Sequence, residues 1–268
     1  MPKILSERRG PVLTVTLDRP DAHNAFDHEM VLALRDVFQG LHEADPDDRP
    51  HAAVLRASGK TFCAGGDLND MRRLGRADFD ENMVAARELG EMFRAIRLSP
   101  VPVVARVQGG AFGGGVGMVC ACDVVVADGN AVFALTEARL GLVAGVISPM
   151  VVGRIGLSRA RVLCLLGDRF DAAEAHRIGL VDVLAGEAGL DAALETAVAS
   201  LLNGGPRALG KVKELVEGAY ALPFEESLEF TARMIAEART SPEAQAALDA
   251  FFAKQPAPWT VDREDWKP

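Results

Sequence analysis

The chain is poor in the residues that build metal and redox centres. Its 268 residues include four cysteines and five histidines, and no HExxH or CxxC spacing brings them together. Cys63, Cys120, Cys122 and Cys164 lie among small or apolar neighbours, the setting of reduced core thiols. The CxC pair at Cys120 and Cys122 has no matching ligand cluster, so no metal centre is expected. The scattered histidines also argue against a histidine-based acid–base centre. No apolar run approaches the ~20 residues that span a bilayer, and the opening MPKILSERRG carries no apolar leader core. These absences predict a soluble, cytoplasmic protein without membrane contact. Positive charge is also in deficit: 29 Lys and Arg stand against 38 Asp and Glu, a net charge of −9. A nucleic-acid partner would need a local basic patch working against that field. The densest basic clusters are Arg72, Arg73 and Arg76, and Arg154, Arg159 and Arg161. They read first as solvated helix faces and second as contacts for a phosphate-bearing ligand.

Nucleotide fingerprints fail as well. Gly59-Lys60-Thr61 looks like the end of a P-loop, but Val54 stands where its first glycine belongs. Gly205 to Lys211 fits GxxxxGK, yet Val212 follows in place of the Ser or Thr that holds magnesium. The glycines from Gly109 to Gly117 never satisfy GxGxxG, because Met118 occupies the last position. Gly156 to Ala160 falls one residue short of a nucleophile elbow, so Ser158 reads as a helix cap.

What is present is an α/β pattern. Apolar runs at Val12–Leu17, Ala52–Ala57, Val101–Val107 and Asp123–Asp128 predict strands. Asp27 is a candidate N-cap for a helix to about Gln39. Asp78 with Glu81 forms a capping-box pattern for a helix to about Leu98, and Asp171 with Glu174 forms another. From about Ser158 the chain turns helical, with Ser241-Pro242 opening a late helix. Hydrophobic residues make up 49% of the chain, enough for a sizeable core. No flexible linker separates an independent second domain.

The decisive feature is a pair of glycine-rich turns, TFCAGGD (Thr61–Asp67) and GGAFGGGVG (Gly109–Gly117). Each follows an apolar run and can aim a bare backbone N–H at one shared point. Two such donors make an oxyanion hole, which points to carbonyl chemistry.

Over nearly its whole length the sequence resembles the enoyl-CoA hydratase/isomerase, or crotonase, superfamily. The matching segments come in the family's order: LDRPDAHNAF (Leu17–Phe26), SGKTFCAGGDL (Ser58–Leu68), PVVARVQGGAFGGGVG (Pro102–Gly117), ACDVVVAD (Ala121–Asp128), FALTEARLGL (Phe133–Leu142), FDAAEAHRIGLVD (Phe170–Asp182) and FFAKQPAPW (Phe251–Trp259). The resemblance implies a spiral of ββα units over residues 1–200, with a helical, trimer-forming region over 201–268, in one continuous domain. It implies homotrimers or dimers of trimers, an acyl-CoA substrate, and no cofactor beyond the coenzyme A of that substrate.

By the same resemblance, the thioester oxygen lies between the N–H groups of Gly66 and Gly114. Coenzyme A runs along Ala64, Gly65, Gly66, Asp67 and Leu68, and Arg19, Ala22, Phe251 and Lys254 are further candidates near its phosphates. Asp67 also reads as an anchor or helix N-cap, and Asp123 as structural. Hydratases of the family carry two glutamates. The second is present as Glu137, whose apolar neighbours predict a raised pKa; Gly117 replaces the first. The segments GGGVG, LTEARLGL and VISPMVVGRIG resemble the bacterial methylglutaconyl-CoA and carboxygeranoyl-CoA hydratases, a branch that also tolerates glycine there. Arg139 and Ser148 are then candidates for a distal substrate carboxylate. The expected activity is hydration of an enoyl-CoA, in leucine or acyclic-terpenoid catabolism. The alternatives are an enoyl-CoA isomerase and an acyl-CoA-binding homologue without catalysis.

Overall fold

The computed structural model describes residues 2–266. It begins with strands β1 (Ile4–Arg9) and β2 (Val12–Leu17), helix α1 (His28–Glu43) and strand β3 (Ala52–Ala57). Helices α2 (Leu68–Leu74) and α3 (Phe79–Arg97) lead to β4 (Val103–Val107), β5 (Gly110–Phe112) and α4 (Gly114–Ala121). Then come β6 (Val124–Ala127), β7 (Val132–Ala134), α5 (Ser148–Leu166), β8 (Phe170–Asp171), α6 (Ala172–Arg177) and β9 (Val183–Leu184). Four helices follow: α7 (Leu190–Leu202), α8 (Pro206–Ala221), α9 (Phe224–Thr240) and α10 (Pro242–Phe252).

The larger sheet has the order β1-β2-β3-β4-β6-β9 and the smaller one β5-β7-β8. β4 and β6 join the first while β5 and β7 join the second, so the chain winds between the sheets as the spiral expectation requires. β2, β3, β4, β6 and β9 pair in parallel, and β1 closes the edge antiparallel to β2.

The central strands are apolar on both faces because both faces are covered. Ala53, Leu55, Val103, Ala105, Val125 and Ala127 turn toward a core shared with α1, α3, α4 and α5. The alternate residues Val12, Val54, Val104 and Val126 pack under Leu190, Leu194, Val198 and Leu202, one face of α7. Trp266 returns to this second cluster and is 3% exposed.

Four of the predicted caps form in full, and the capping boxes only by half. Asp27 accepts from Met30 N, Asp78 from Glu81 N and Asp171 from Glu174 N. The Glu81 and Glu174 side chains do not return to their caps; they pair instead with Arg73 and Arg177. Ser241 caps α10 through Ala244 N, with Pro242 in the first turn.

Several boundaries move. The helix after Asp27 continues to Glu43, the two later strands shorten to Val103–Val107 and Val124–Ala127, and the helical run starts at Ser148 rather than Ser158. Ser158 caps nothing among the described residues. The break in α5 comes from Gly156, whose φ of +76° is left-handed.

No residue of α8 or α10 is buried. α8 packs on α9 and is tied to the core by Lys213 to Asp123 at 2.6 Å and Arg97 to Glu217 at 2.7 Å. Asp123 also accepts from Val103 N, so it has the structural role predicted for it.

Candidate active site

The two glycine turns are joined along one seam. Phe62 N donates to the Gln108 carbonyl, Cys63 N to that of Gly110, and Phe112 N to that of Cys63, at 3.0, 3.1 and 2.9 Å. The first turn is gripped from its other side by buried Asn24. Its side chain donates to the carbonyls of Ser58 and Thr61 and accepts from Arg19 N, each at 2.8 Å. Phe26 N donates to Gly65 O and Asp67 N to Phe26 O, which fixes the chain on both sides of Gly66. Gly65 has φ +94° and Gly113 +50°, backbone states that a side chain would strain.

These bonds leave the Gly66 and Gly114 N–H groups without a partner among the described residues. Gly114 opens α4, so its N–H has no acceptor inside the helix. The turns are close: a Cβ on Gly65 would stand 3.6 Å from Gly114 N. The Phe26 ring packs against both glycines, its Cε2 3.8 Å from a Cβ built on Gly66 and its Cζ and Cε1 in closer contact with one built on Gly114. Two free N–H groups over an apolar floor can share one carbonyl oxygen and stabilise charge developing on it.

Glu137 begins a 3-10 turn, Glu137–Leu140, and its carboxylate is placed against the second glycine turn. Its Oε1 would lie 3.0 Å from a Cβ on Gly113, and its Oε2 is buried with no hydrogen-bond partner. Burial raises its pKa above the ordinary 4.5, opposed only by its own backbone N–H. A carboxyl poised in this way can exchange a proton with a neighbouring carbon.

Gly117 sits one helical turn beyond Gly114. A Cβ there would meet Ile147 Cβ at 2.8 Å and Phe93 Cε1 at 3.2 Å. The position that carries a carboxylate in two-glutamate hydratases is therefore a packed apolar contact here.

Other predicted site residues are committed elsewhere or remain open. Asp67 is the N-cap of α2, accepting from Asn69 N at 2.7 Å and Asp70 N at 3.3 Å. Arg19 reaches Asp67 and the Ala25 carbonyl, so this guanidinium anchors the turn. Ala64 and Leu68 are exposed along the first turn, and Ala22 ends the 3-10 turn Pro20–Ala22 beside it. Phe251 and Lys254 are exposed at the end of α10, and no hydrogen bond or ion pair among the described residues ties them to the glycine turns. Arg139 pairs with Asp168 and the Leu166 carbonyl, while Ser148 Oγ donates to Gly145 O at 2.8 Å.

Of the basic clusters, Arg73 pairs with Glu81 and Asp70, leaving Arg72 and Arg76 exposed. Arg154 is not a solvated residue: it binds Asp182 and the carbonyls of Cys122, Asp123, Gly179 and Leu180. Burial pushes the Cys63 and Cys120 thiols up to about 12, and that of Cys122 higher. A cavity of about 1250 Å³ between Arg97, Pro100 and α8 shares no lining residue with the glycine turns. Asn24, Phe26, Phe93 and Ile147 were not singled out in the sequence. Asn24 and Phe26 gave a signal as members of the LDRPDAHNAF segment, Ile147 as a member of VISPMVVGRIG, and Phe93 only as one apolar residue of the helix after Asp78.

The profile of the enoyl-CoA hydratase/isomerase family matches residues 7–262. The chain belongs to that family. This family member is 27% identical over 258 residues to a short-chain-enoyl-CoA hydratase of Clostridium acetobutylicum, covering 94% of this chain and 95% of the relative. It is 29% identical over 260 residues to the 1,2-epoxyphenylacetyl-CoA isomerase of Escherichia coli, covering 96% and 98%. Its fold matches the crystal structure of an enoyl-CoA hydratase from Shewanella pealeana with a TM-score of 0.90 at 34% identity, covering 96% of each chain. Relatives named as a hydratase and as an isomerase thus both match nearly the whole of this chain.

Proposed function

We propose that this hydratase/isomerase family member adds water across the α,β double bond of an enoyl-CoA thioester. The observation that carries the reading is the Glu137 carboxylate against Gly113, with its Oε2 buried and unpartnered, next to the free Gly114 N–H. In this reading the thioester oxygen accepts from Gly66 N and Gly114 N. Water held by Glu137 gives its oxygen to the β-carbon and a proton to the carboxylate. The electron pair of the double bond moves toward the carbonyl, and the charge rests on the oxygen between the two donors. Glu137 then returns the proton to the α-carbon. No cofactor takes part.

A second reading, an enoyl-CoA isomerase, is favoured by the apolar contact at Gly117, because one carboxylate suffices to move a proton between carbons. Loss of catalysis is the weakest reading, since a carboxylate oxygen buried without a partner costs stability and binding alone gives it no role.

For the substrate we start from short uncharged enoyl-CoAs and retain 3-methylglutaconyl-CoA as a test. Its distal carboxylate would need a cation, and Arg139 is already paired with Asp168. A homotrimer or dimer of trimers is proposed on the stripe Val212, Val216 and Tyr220, which leaves α8 exposed at helical spacing. Mass spectrometry in heavy-oxygen water, with crotonyl-CoA, a 3-enoyl-CoA and 3-methylglutaconyl-CoA, tests the reading. A labelled product heavier by one water supports hydration. A double-bond shift without mass gain moves the assignment to isomerase.

A further inference from the structure

The first turn of α5 breaks a local preference. Its N-cap is Ile147, a residue with no side chain able to cap, where Ser, Thr, Asp or Asn is favoured. Ser148 follows immediately, but its hydroxyl bonds back to Gly145 O and leaves the helix end uncapped. The side chain of Ile147 is instead 4% exposed and pressed on Gly117, with Phe93 completing the contact. Its neighbour Val146 continues the wall, with Cγ1 at 3.7 Å from a Cβ on Gly90. A local rule broken at a site, with the side chain redirected into a contact, is where a functional requirement is expected.

Gly117 lies three residues after Gly114 and so shares its side of α4. Phe93, Val146 and Ile147 offer a water molecule nothing to bind, and an ordered water needs two to four polar partners. The carboxylate against the second glycine turn, at Gly113, is that of Glu137.

We propose that Ile147 is a positioning residue that rations water at this site. By filling the seat over Gly117, it leaves Glu137 as the single group able to hold water near the acyl chain. The proposal rests on the acyl-CoA reading above. When Glu137 holds water, hydration follows. When it holds only the proton taken from the substrate, it returns that proton to carbon, and the double bond shifts with no atom gained or lost. Ile147 therefore sets the partition between the two products.

The test is that partition, measured in heavy-oxygen water for the full-length protein and its Ile147→Val and Ile147→Ala variants with a 3-enoyl-CoA. Ile147→Ala is expected to raise the ratio of labelled hydrate to shifted alkene about tenfold, with Ile147→Val between it and wild type. Acyl-CoA affinity should stay within about threefold, which separates the effect from a general loss of the site. An unmoved ratio with intact binding overturns the proposal alone. A wild-type protein that binds but converts no panel member overturns the activity reading, and this proposal with it. A packing measurement stands independently of activity. Gly117→Ala should lower the melting temperature in the wild-type background and much less in the Ile147→Ala background. Equal losses in both would show that Ile147 does not fill the seat.

Discussion

The Arg19 guanidinium donates to the Asp67 carboxylate at 2.7 Å, and Asp67 caps the helix that begins at the next residue. The exit of the first glycine turn is therefore held by one charged side chain from each side. Asp67→Ala should lower the unfolding free energy by about 1–2 kcal/mol, the usual cost of a lost cap, measurable in urea. It should also reduce kcat/KM, because Gly66 directly precedes the cap. Burial opposes ionisation of Asp67, but Arg19 and the N–H groups of Asn69 and Asp70 hold its pKa below the ordinary 3.8. The stabilisation is therefore present above 3.8 and lost as pH falls toward the lower folded value. The gap between wild type and variant should close in that acid range.

Glu137→Gln should lower turnover by at least about 100-fold while acyl-CoA binding persists. Its raised pKa fixes two signs. The acid limb of kcat/KM should fall above pH 4.5, since the carboxylate must be ionised to act as a base. The folded chain binds this proton more tightly than the unfolded one, so stability declines as pH rises through the interval above 4.5. Glu137→Gln should remove that decline and be the more stable protein at neutral pH, as thermal melts across the range would reveal.

The thiols should react in a defined order. Cys63, Cys120 and Cys122 are buried, whereas Cys164 is partly exposed, its pKa raised by burial and by Glu137. Iodoacetamide at about pH 8 should modify the native protein slowly and at Cys164 first, with all four sites reacting after unfolding. Mass spectrometry of the labelled peptides reads the order.

Trp266 should be worth more than its place near the end of the chain suggests. It is packed with Val12 and the apolar face of α7, so Trp266→Ala should cost about 3 kcal/mol in denaturant unfolding. The same loss is expected from removing the residues after Asp262.

The glycine turns were legible because a close backbone approach needs bare residues, whereas Glu137 stood out only through the family resemblance of its segment. The caps at Asp27, Asp78, Asp171 and Ser241 were legible from short-range spacing. The smaller sheet was not: β5, β7 and β8 are too short for a period-two pattern to emerge. β1, with polar residues through ILSERR, gave no apolar run. The wall of Ile147 and Phe93 was hidden for another reason. Each is an ordinary core hydrophobe in its own segment, and only folding brings both to Gly117. Arg19 and Arg139 show the same limit for charge, since their carboxylate partners Asp67 and Asp168 are set by the fold.

The seam that joins Cys63 to Gly110 and Phe112 gives the two turns a common fate. Independent loops would each wander, and a substrate would have to collect them before its oxygen could be held. Here the ordering is completed when the chain folds, so under the proposed reading an arriving thioester would meet a ready-made cradle. Such a site should keep its geometry with or without ligand, and warming should cost it both donors together rather than one at a time.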